Sequence, residues 1–275
     1  MRTTILASDF AVRIDDLDLS EPLDDETFDT LRDLWMRYKV AVIPGQKLED
    51  DSLLAFARRF GPLFVHVQSQ LVSPDHKEVM YMTNRGTKTP VKGELTWHSD
   101  QSYTPKPVFG TILYGIEIPD AGGETCFADL AAAYASLPDA LRRRVDGLTA
   151  VYSPVKAGHN RRAAMTAEER AAVPDVPHPL VRTHPYLGTK ALYLSPNHIT
   201  TIGDLSADAS EALLRELVAH ATRPGHVYCH EWTPGDVIMW DNASVMHRRN
   251  DFPADQARFM KRTGFHLPDE LRVPY

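Results

Sequence analysis

The chain has 275 residues, 43% of them hydrophobic and 24% charged, with a formal net charge of −7. That balance fits a soluble globular protein with a sizeable core, and the acidic excess argues against a nucleic-acid surface. No apolar run approaches the length of a membrane span, and residues 1–6 lack an apolar core long enough for a signal peptide. Neither a nucleic-acid nor a membrane partner is therefore expected. Cys126 and Cys229 lie far apart and neither belongs to a Cys-x-x-Cys pair, so both are read as reduced strand residues of a cytoplasmic protein.

Residues 10–14 predict a strand, and Asp24 or Asp25 then caps a helix whose Phe28, Leu31, Leu34 and Trp35 recur at helical spacing. A short buried strand at 39–45 stops at Pro44-Gly45, and a helix over 50–60 carries Leu53, Leu54, Phe56, Ala57 and Phe60. Between 66 and 92 the pattern weakens around one strand-like piece at 78–82, which suits a substrate-covering loop. Strands at 108–117 and 124–129 flank a turn at 119–123, and a helix over 130–143 follows. Residues 153–178, rich in Pro, Ala, Arg and Glu, read as a surface insertion. A hairpin joins 181–184 to 191–194 around Leu187-Gly188-Thr189, a helix runs from about 207 to 221, and strands occupy 227–232, 236–240 and 258–267.

Short strands at close spacing with a few helices predict a mainly β fold, a closed or double-sheet core with helices packed outside. A doubly wound parallel fold is disfavoured, since strand and helix do not alternate regularly and no Gly-x-Gly-x-x-Gly loop is present. With no repeat, low-complexity tract or linker, residues 1–275 read as a single domain.

The chemistry centres on His98-x-Asp100, set after Leu95-Thr96-Trp97 in a run that looks like strand. Side chains two apart on a strand share a face, so imidazole and carboxylate would converge. A candidate third ligand is His247, at the end of a polar turn into which the strand Met239-Trp240 runs. Two histidines and a carboxylate on one side of a metal leave its other positions open, the facial triad of non-haem Fe(II) oxygenases. A bidentate 2-oxo acid would fill two of those positions and O2 a third. Its far carboxylate needs a cationic fork, and a guanidinium matches a carboxylate bidentately. Arg258 and Arg262, four apart and so on one strand face, are the candidates. The bland alternatives are a chance His-x-Asp, structural histidines such as His230 and His266, and an arginine-rich tail that is only a solvated surface.

The ordered set Val42-Ile43-Pro44-Gly45-Gln46, Phe60-Gly61-Pro62-Leu63, Trp97-His98-Ser99-Asp100, Gly122-Gly123-Glu124-Thr125, Val181-Arg182-Thr183-His184-Pro185 and Trp240-Asp241-Asn242 before His247 resembles one family over nearly the whole chain. It is that of the Fe(II)/2-oxoglutarate-dependent dioxygenases related to taurine dioxygenase and 2,4-dichlorophenoxyacetate dioxygenase. The resemblance implies a double-stranded β-helix, a jelly-roll, cupin-like core. It implies that His98, Asp100 and His247 ligate Fe(II), and that Thr125 and Arg258 hold 2-oxoglutarate. Arg262 would meet the anionic group of the prime substrate, and His66 falls at a substrate-binding histidine of the taurine enzyme. Gln101, beside the triad, is read as a further substrate contact. Trp240 would pack near the iron, and Asp241-Asn242 would shape the turn presenting His247.

The implied reaction couples O2 and the decarboxylation of 2-oxoglutarate, to succinate and CO2, to oxidation of a small anionic organic molecule. Glu94 stands where the taurine enzyme has an amide, and the second half is more similar to the aryloxyalkanoate branch, so an aryloxyalkanoate-like acid is favoured over taurine. A homo-oligomer, dimer or tetramer, is also implied. The rival readings are a cupin-type metalloenzyme that does not use 2-oxoglutarate, and a non-catalytic β-barrel binding protein. Thr125 and Arg258 separate the first rival from the dioxygenase, and metal titration separates the second.

Overall fold

The structure is a computed structural model that describes residues 1–6, 9–65, 72–86, 94–154 and 174–268. The first half carries strands β1 (Arg2–Ile5), β2 (Ala11–Asp15), β3 (Val40–Ile43), β4 (Met80–Thr83), β5 (Leu95–His98), β6 (Gly110–Glu117) and β7 (Thr125–Asp129). Helix α1 (Asp25–Tyr38) precedes β3, α2 (Asp50–Arg58) follows it, and α3 (Leu130–Ala135) and α4 (Asp139–Val145) come after β7. The second half carries β8 (Thr149–Tyr152), β9 (Val176–Pro179), β10 (Val181–Thr183), β11 (Lys190–Leu192) and β12 (Ile199–Ile202). Helix α5 (Ala207–Ala221) then leads to β13 (Val227–His230), β14 (Val237–Asp241), β15 (Val245–Arg249) and β16 (Phe259–Phe265).

A seven-stranded sheet in the order β1-β2-β3-β14-β6-β16-β4 lies across from a four-stranded sheet, β13-β7-β15-β5. Among the pairings in these two sheets only β2 with β3 is parallel. This is the expected jelly roll, and its interior follows from strand alternation. Val40, Val42, Leu113, Ile238, Trp240 and Met260 of the larger sheet meet Phe127 and Val245 of the smaller one. The alternate residues Ala41, Ile43, Ile112, Tyr114, Val237 and Met239 face α1 and α2, where they cover Phe28, Leu31, Trp35 and Leu53. The outer face of the smaller sheet, with Ala128 and Met246, packs under α3, α4 and α5.

Local chemistry explains the helix ends. Asp24 caps α1, its side chain accepting from the Thr27 amide at 2.7 Å, and Lys39 closes the helix in a left-handed conformation at φ 64°. The single helix expected over 130–143 is two helices, because Pro138 has no N–H to continue α3 and instead opens α4. The surface insertion expected at 153–178 gives way at its end to β9, which pairs antiparallel with β8; residues 155–173 lie outside the described residues.

Cys126 and Cys229 are not reduced. They face each other across β7 and β13 in direct register, Cα atoms 3.9 Å apart, and form a disulfide. Their sequence separation of 103 hid the pairing from the sequence, and the cysteines no longer argue for a reducing compartment. No helix among the described residues is long and apolar enough to cross a membrane.

Candidate metal centre

The centre lies between the two sheets, at the end of β5 and the middle of β15. His247 is the third residue of β15 rather than the end of a turn, and it shares the inward parity of Val245. It pairs in register with His98, the last residue of β5, and the two imidazole centroids are 4.2 Å apart. Strand β5 ends at His98, so Asp100 does not reach the site by strand alternation. It sits in the following turn, which Gln101 closes with φ 51° while its carbonyl accepts from the Thr104 amide. The amide of Asp100 is tied to Asn242 Oδ1 at 3.3 Å, which brings the carboxylate back over the histidines.

His98 Nε2 and His247 Nε2 each lie 3.7 Å from Asp100 Oδ1, and one ligand atom from each of the three residues falls within 4.8 Å of the others. His98 Nδ1 lies 2.9 Å from the Thr96 carbonyl, which as a pure acceptor fixes the proton on Nδ1 and leaves the Nε2 lone pair facing Asp100. Burial lowers both imidazoles below the ordinary histidine value, His247 strongly so, with His98 and Arg262 adding to the effect on His247. Burial alone would push the Asp100 carboxyl up. Arg262, His247 and His98 outweigh it and hold the group below the usual carboxylate range. Neutral imidazoles and an ionised carboxylate are the protonation states a divalent cation requires, so this donor set fits a metal.

Asp100 is held on its far side as well. Thr111 Oγ1 donates to Asp100 Oδ2 at 2.7 Å, and Asn242 Nδ2 donates to Thr111 Oγ1 at 3.0 Å. Trp240 Nε1 donates to Asn242 Oδ1, and the Trp240 ring packs 4.7 Å from that of His247. Thr111 was missed in the sequence. Its signal was its parity with Leu113 in β6, which turns it inward.

The arginine-rich tail is not a solvated surface. Alternation in β16 sends Lys261 toward α2, where it meets Asp50 at 2.7 Å, and Arg262 inward, where its Nη2 lies 2.6 Å from Asp100 Oδ1. Arg258, just before β16, is 2% exposed and lies over Phe252. The Gly122-Gly123 turn abuts it, since a Cβ on Gly123 would sit 3.6 Å from Arg258 Nε. Thr125, two residues after that turn, shares the inward parity of Phe127, and its Oγ1 accepts from Trp232 Nε1 at 3.0 Å. His66 lies outside the described residues. Glu94 pairs with Arg248 at 3.3 Å, and His230 is taken up by Asp236 at 2.9 Å. His184 and Asp241 form a second fully buried pair, 3.1 Å apart, behind the turn that leads to β15.

The family model described as "Taurine catabolism dioxygenase TauD, TfdA family" matches residues 3–263. The (S)-phenoxypropionate/alpha-ketoglutarate-dioxygenase of Sphingobium herbicidovorans is 36% identical over 246 residues, 86% of this chain and 85% of its own length. The alpha-ketoglutarate-dependent 2,4-dichlorophenoxyacetate dioxygenase of Cupriavidus pinatubonensis is 32% identical over 268 residues, 92% of this chain and 93% of its own. Among solved structures, AAD-2 in complex with Mn(II) and N-oxalylglycine superposes with a TM-score of 0.85 at 31% identity, covering 98% of both chains.

Proposed function

The chain belongs to the TauD/TfdA family of 2-oxoglutarate-dependent dioxygenases, and we propose that, as one domain over 1–275, it oxidises an aryloxyalkanoate-like acid at the His98–Asp100–His247 centre with Fe(II) as its metal. Membership in the family removes the two rivals, a 2-oxoglutarate-independent cupin and a non-catalytic barrel. The single observation that carries the reading is the convergence of two neutral imidazoles and one ionised carboxylate on one buried point. Bound there, ferrous iron would supply open positions for 2-oxoglutarate and O2, whose reaction gives succinate and CO2 and oxidises the substrate.

The chain's own residues do the rest. Thr125 and Arg258 hold the distal carboxylate of 2-oxoglutarate, a role supported by the inward parity of Thr125 and by the burial of Arg258 against the Gly122-Gly123 turn. In that dry surrounding a bidentate guanidinium is worth more than it would be in water. Arg262 offers the cation for the substrate's carboxylate, close enough to Asp100 to set the substrate beside the metal. Gln101, in the turn that carries Asp100, and His66 complete the substrate contacts. Phe127, Trp240 and Met260 keep water from the interior. The aryloxyalkanoate class is supported by the relatives named for phenoxypropionate and 2,4-dichlorophenoxyacetate. A homo-oligomeric state belongs to the same proposal and is checked by light scattering.

The test is succinate release by the Fe(II)-loaded protein given 2-oxoglutarate, air and a panel of aryloxyalkanoates, sulfonates, phosphonates and amino acids. Stimulation by aryloxyalkanoates is expected. Stimulation by taurine alone would overturn the substrate class, and no succinate with any acid would overturn the cosubstrate.

A further inference from the structure

We propose that Thr111 and Asn242 are positioning residues that make Asp100 a one-oxygen ligand, and that Asn242 also sets His247 through Trp240. The inference rests on the proposed role of the triad as the metal centre. It comes from counting donors and acceptors in a buried chain, with Thr111 0% and Asn242 2% exposed.

Asn242 Oδ1 receives two groups that can only donate, the Asp100 amide at 3.3 Å and the Trp240 indole N–H at 3.1 Å. That settles the orientation of the carboxamide, so its NH2 must face Thr111 Oγ1. A threonine hydroxyl has one proton. With its oxygen already accepting from Asn242, that proton is committed to Asp100 Oδ2 at 2.7 Å. The far oxygen of the carboxylate is thereby occupied by a hydrogen bond. Oδ1 is the oxygen turned toward His98 Nε2 and His247 Nε2, at 3.7 Å from each, and it also meets Arg262 Nη2 at 2.6 Å, so with Oδ2 held by Thr111 it is the oxygen on the histidine side.

The consequence is geometric. A carboxylate free to rotate can present either oxygen, or both, to a metal, and each choice changes how many positions stay open. With Oδ2 anchored by Thr111, Asp100 would offer a bound metal one oxygen, which would leave room for a bidentate 2-oxo acid and O2. The same carboxamide fixes the Trp240 indole, whose ring lies 4.7 Å from the His247 ring, so one side chain at the start of the β14–β15 turn aligns ligands from two segments of the chain. The two residues act through Asp100 and His247 and touch no reacting atom themselves.

The experiment uses the full-length protein, with Mn(II) affinity by calorimetry and the Co(II) absorption spectrum as readouts, and thermal unfolding as a control. Thr111→Val replaces one hydroxyl by a methyl of similar shape and should weaken Mn(II) binding about 10–100-fold, the usual cost of losing an outer partner. It should also shift the Co(II) spectrum, because the carboxylate is freed to bind through both oxygens. Thr111→Ser, which restores the hydroxyl, should recover most of the affinity. Asn242→Asp should be at least as harmful, since its carboxylate would accept the Thr111 proton and withdraw it from Asp100. A folded Thr111→Val protein with unaltered Mn(II) affinity and Co(II) spectrum would overturn this inference alone. Failure of the unaltered protein to bind either metal would overturn the proposed function and this inference with it.

Discussion

Arg258→Ala tests the cosubstrate assignment most sharply. Arg258 is 2% exposed, lies 5.7 Å from the centroid of Phe252 and is closed off by the Gly122-Gly123 turn, so little water can replace what a ligand carboxylate gains there. A hydrogen bond to a charged group is worth about 1.5–3 kcal/mol, and a guanidinium makes two to a carboxylate. Two bonds at the low end give about 3 kcal/mol, which weakens 2-oxoglutarate about 150-fold at 1.4 kcal/mol per decade. Arg258→Lys keeps a point charge without the planar fork and should recover roughly half of that free energy. The assay is anaerobic calorimetry of the Mn(II)-loaded protein with 2-oxoglutarate, with Mn(II) affinity itself as the control. If 2-oxoglutarate binds the Ala variant as it binds the unaltered protein, Arg258 does not hold the distal carboxylate and the reasoning from burial and parity fails.

Three further outcomes are expected. Burial holds His98 and His247 below the ordinary histidine value of 6.5, so their protonation competes with metal only in more acid solution. Mn(II) affinity should therefore show no fall with a midpoint near 6.5 when titrated from about pH 8 downward, and a step there would mean ordinary, solvated imidazoles. Reductant should lower the thermal midpoint and release two titratable thiols, because the Cys126–Cys229 bond closes a loop with a sequence separation of 103. Loop entropy sets the loss at no more than about 5 kcal/mol, and an unchanged midpoint after complete reduction would refute the stabilising role. Gly122→Ala should destabilise by about 1–3 kcal/mol in denaturant melts, since its φ of 74° disfavours a side chain and the new Cβ would crowd the Asp251 carbonyl.

Where residues close together in the chain decide the structure, the sequence was readable. Asp24 caps α1 as expected, α5 spans the residues its periodicity marked, and the alternation of β3 and β14 separates the jelly-roll interior from the helix-covered face. The convergence of His98, Asp100 and His247 was also legible. The route by which Asp100 arrives was not, because it depends on a left-handed turn at Gln101 and on an amide tie to Asn242, 142 residues away. Parity with Leu113 marks Thr111 only as inward-facing, and its role exists only once β6 lies beside β14. β8 (Thr149–Tyr152) and β12 (Ile199–Ile202) went unread. The helix over 130–143 failed for a reason that was in plain sight, Pro138.

In the proposed function, oxygen chemistry at this centre is driven by 2-oxoglutarate and directed at an aryloxyalkanoate-like acid. Mass spectrometry of the succinate formed under isotopically heavy O2, with the Fe(II)-loaded protein and such an acid, tests it directly. The expected result is succinate carrying a single heavy oxygen, formed in step with an oxidised aryloxy product and lost in Asp100→Ala. Succinate without the label, or an unaltered yield from Asp100→Ala, would contradict it.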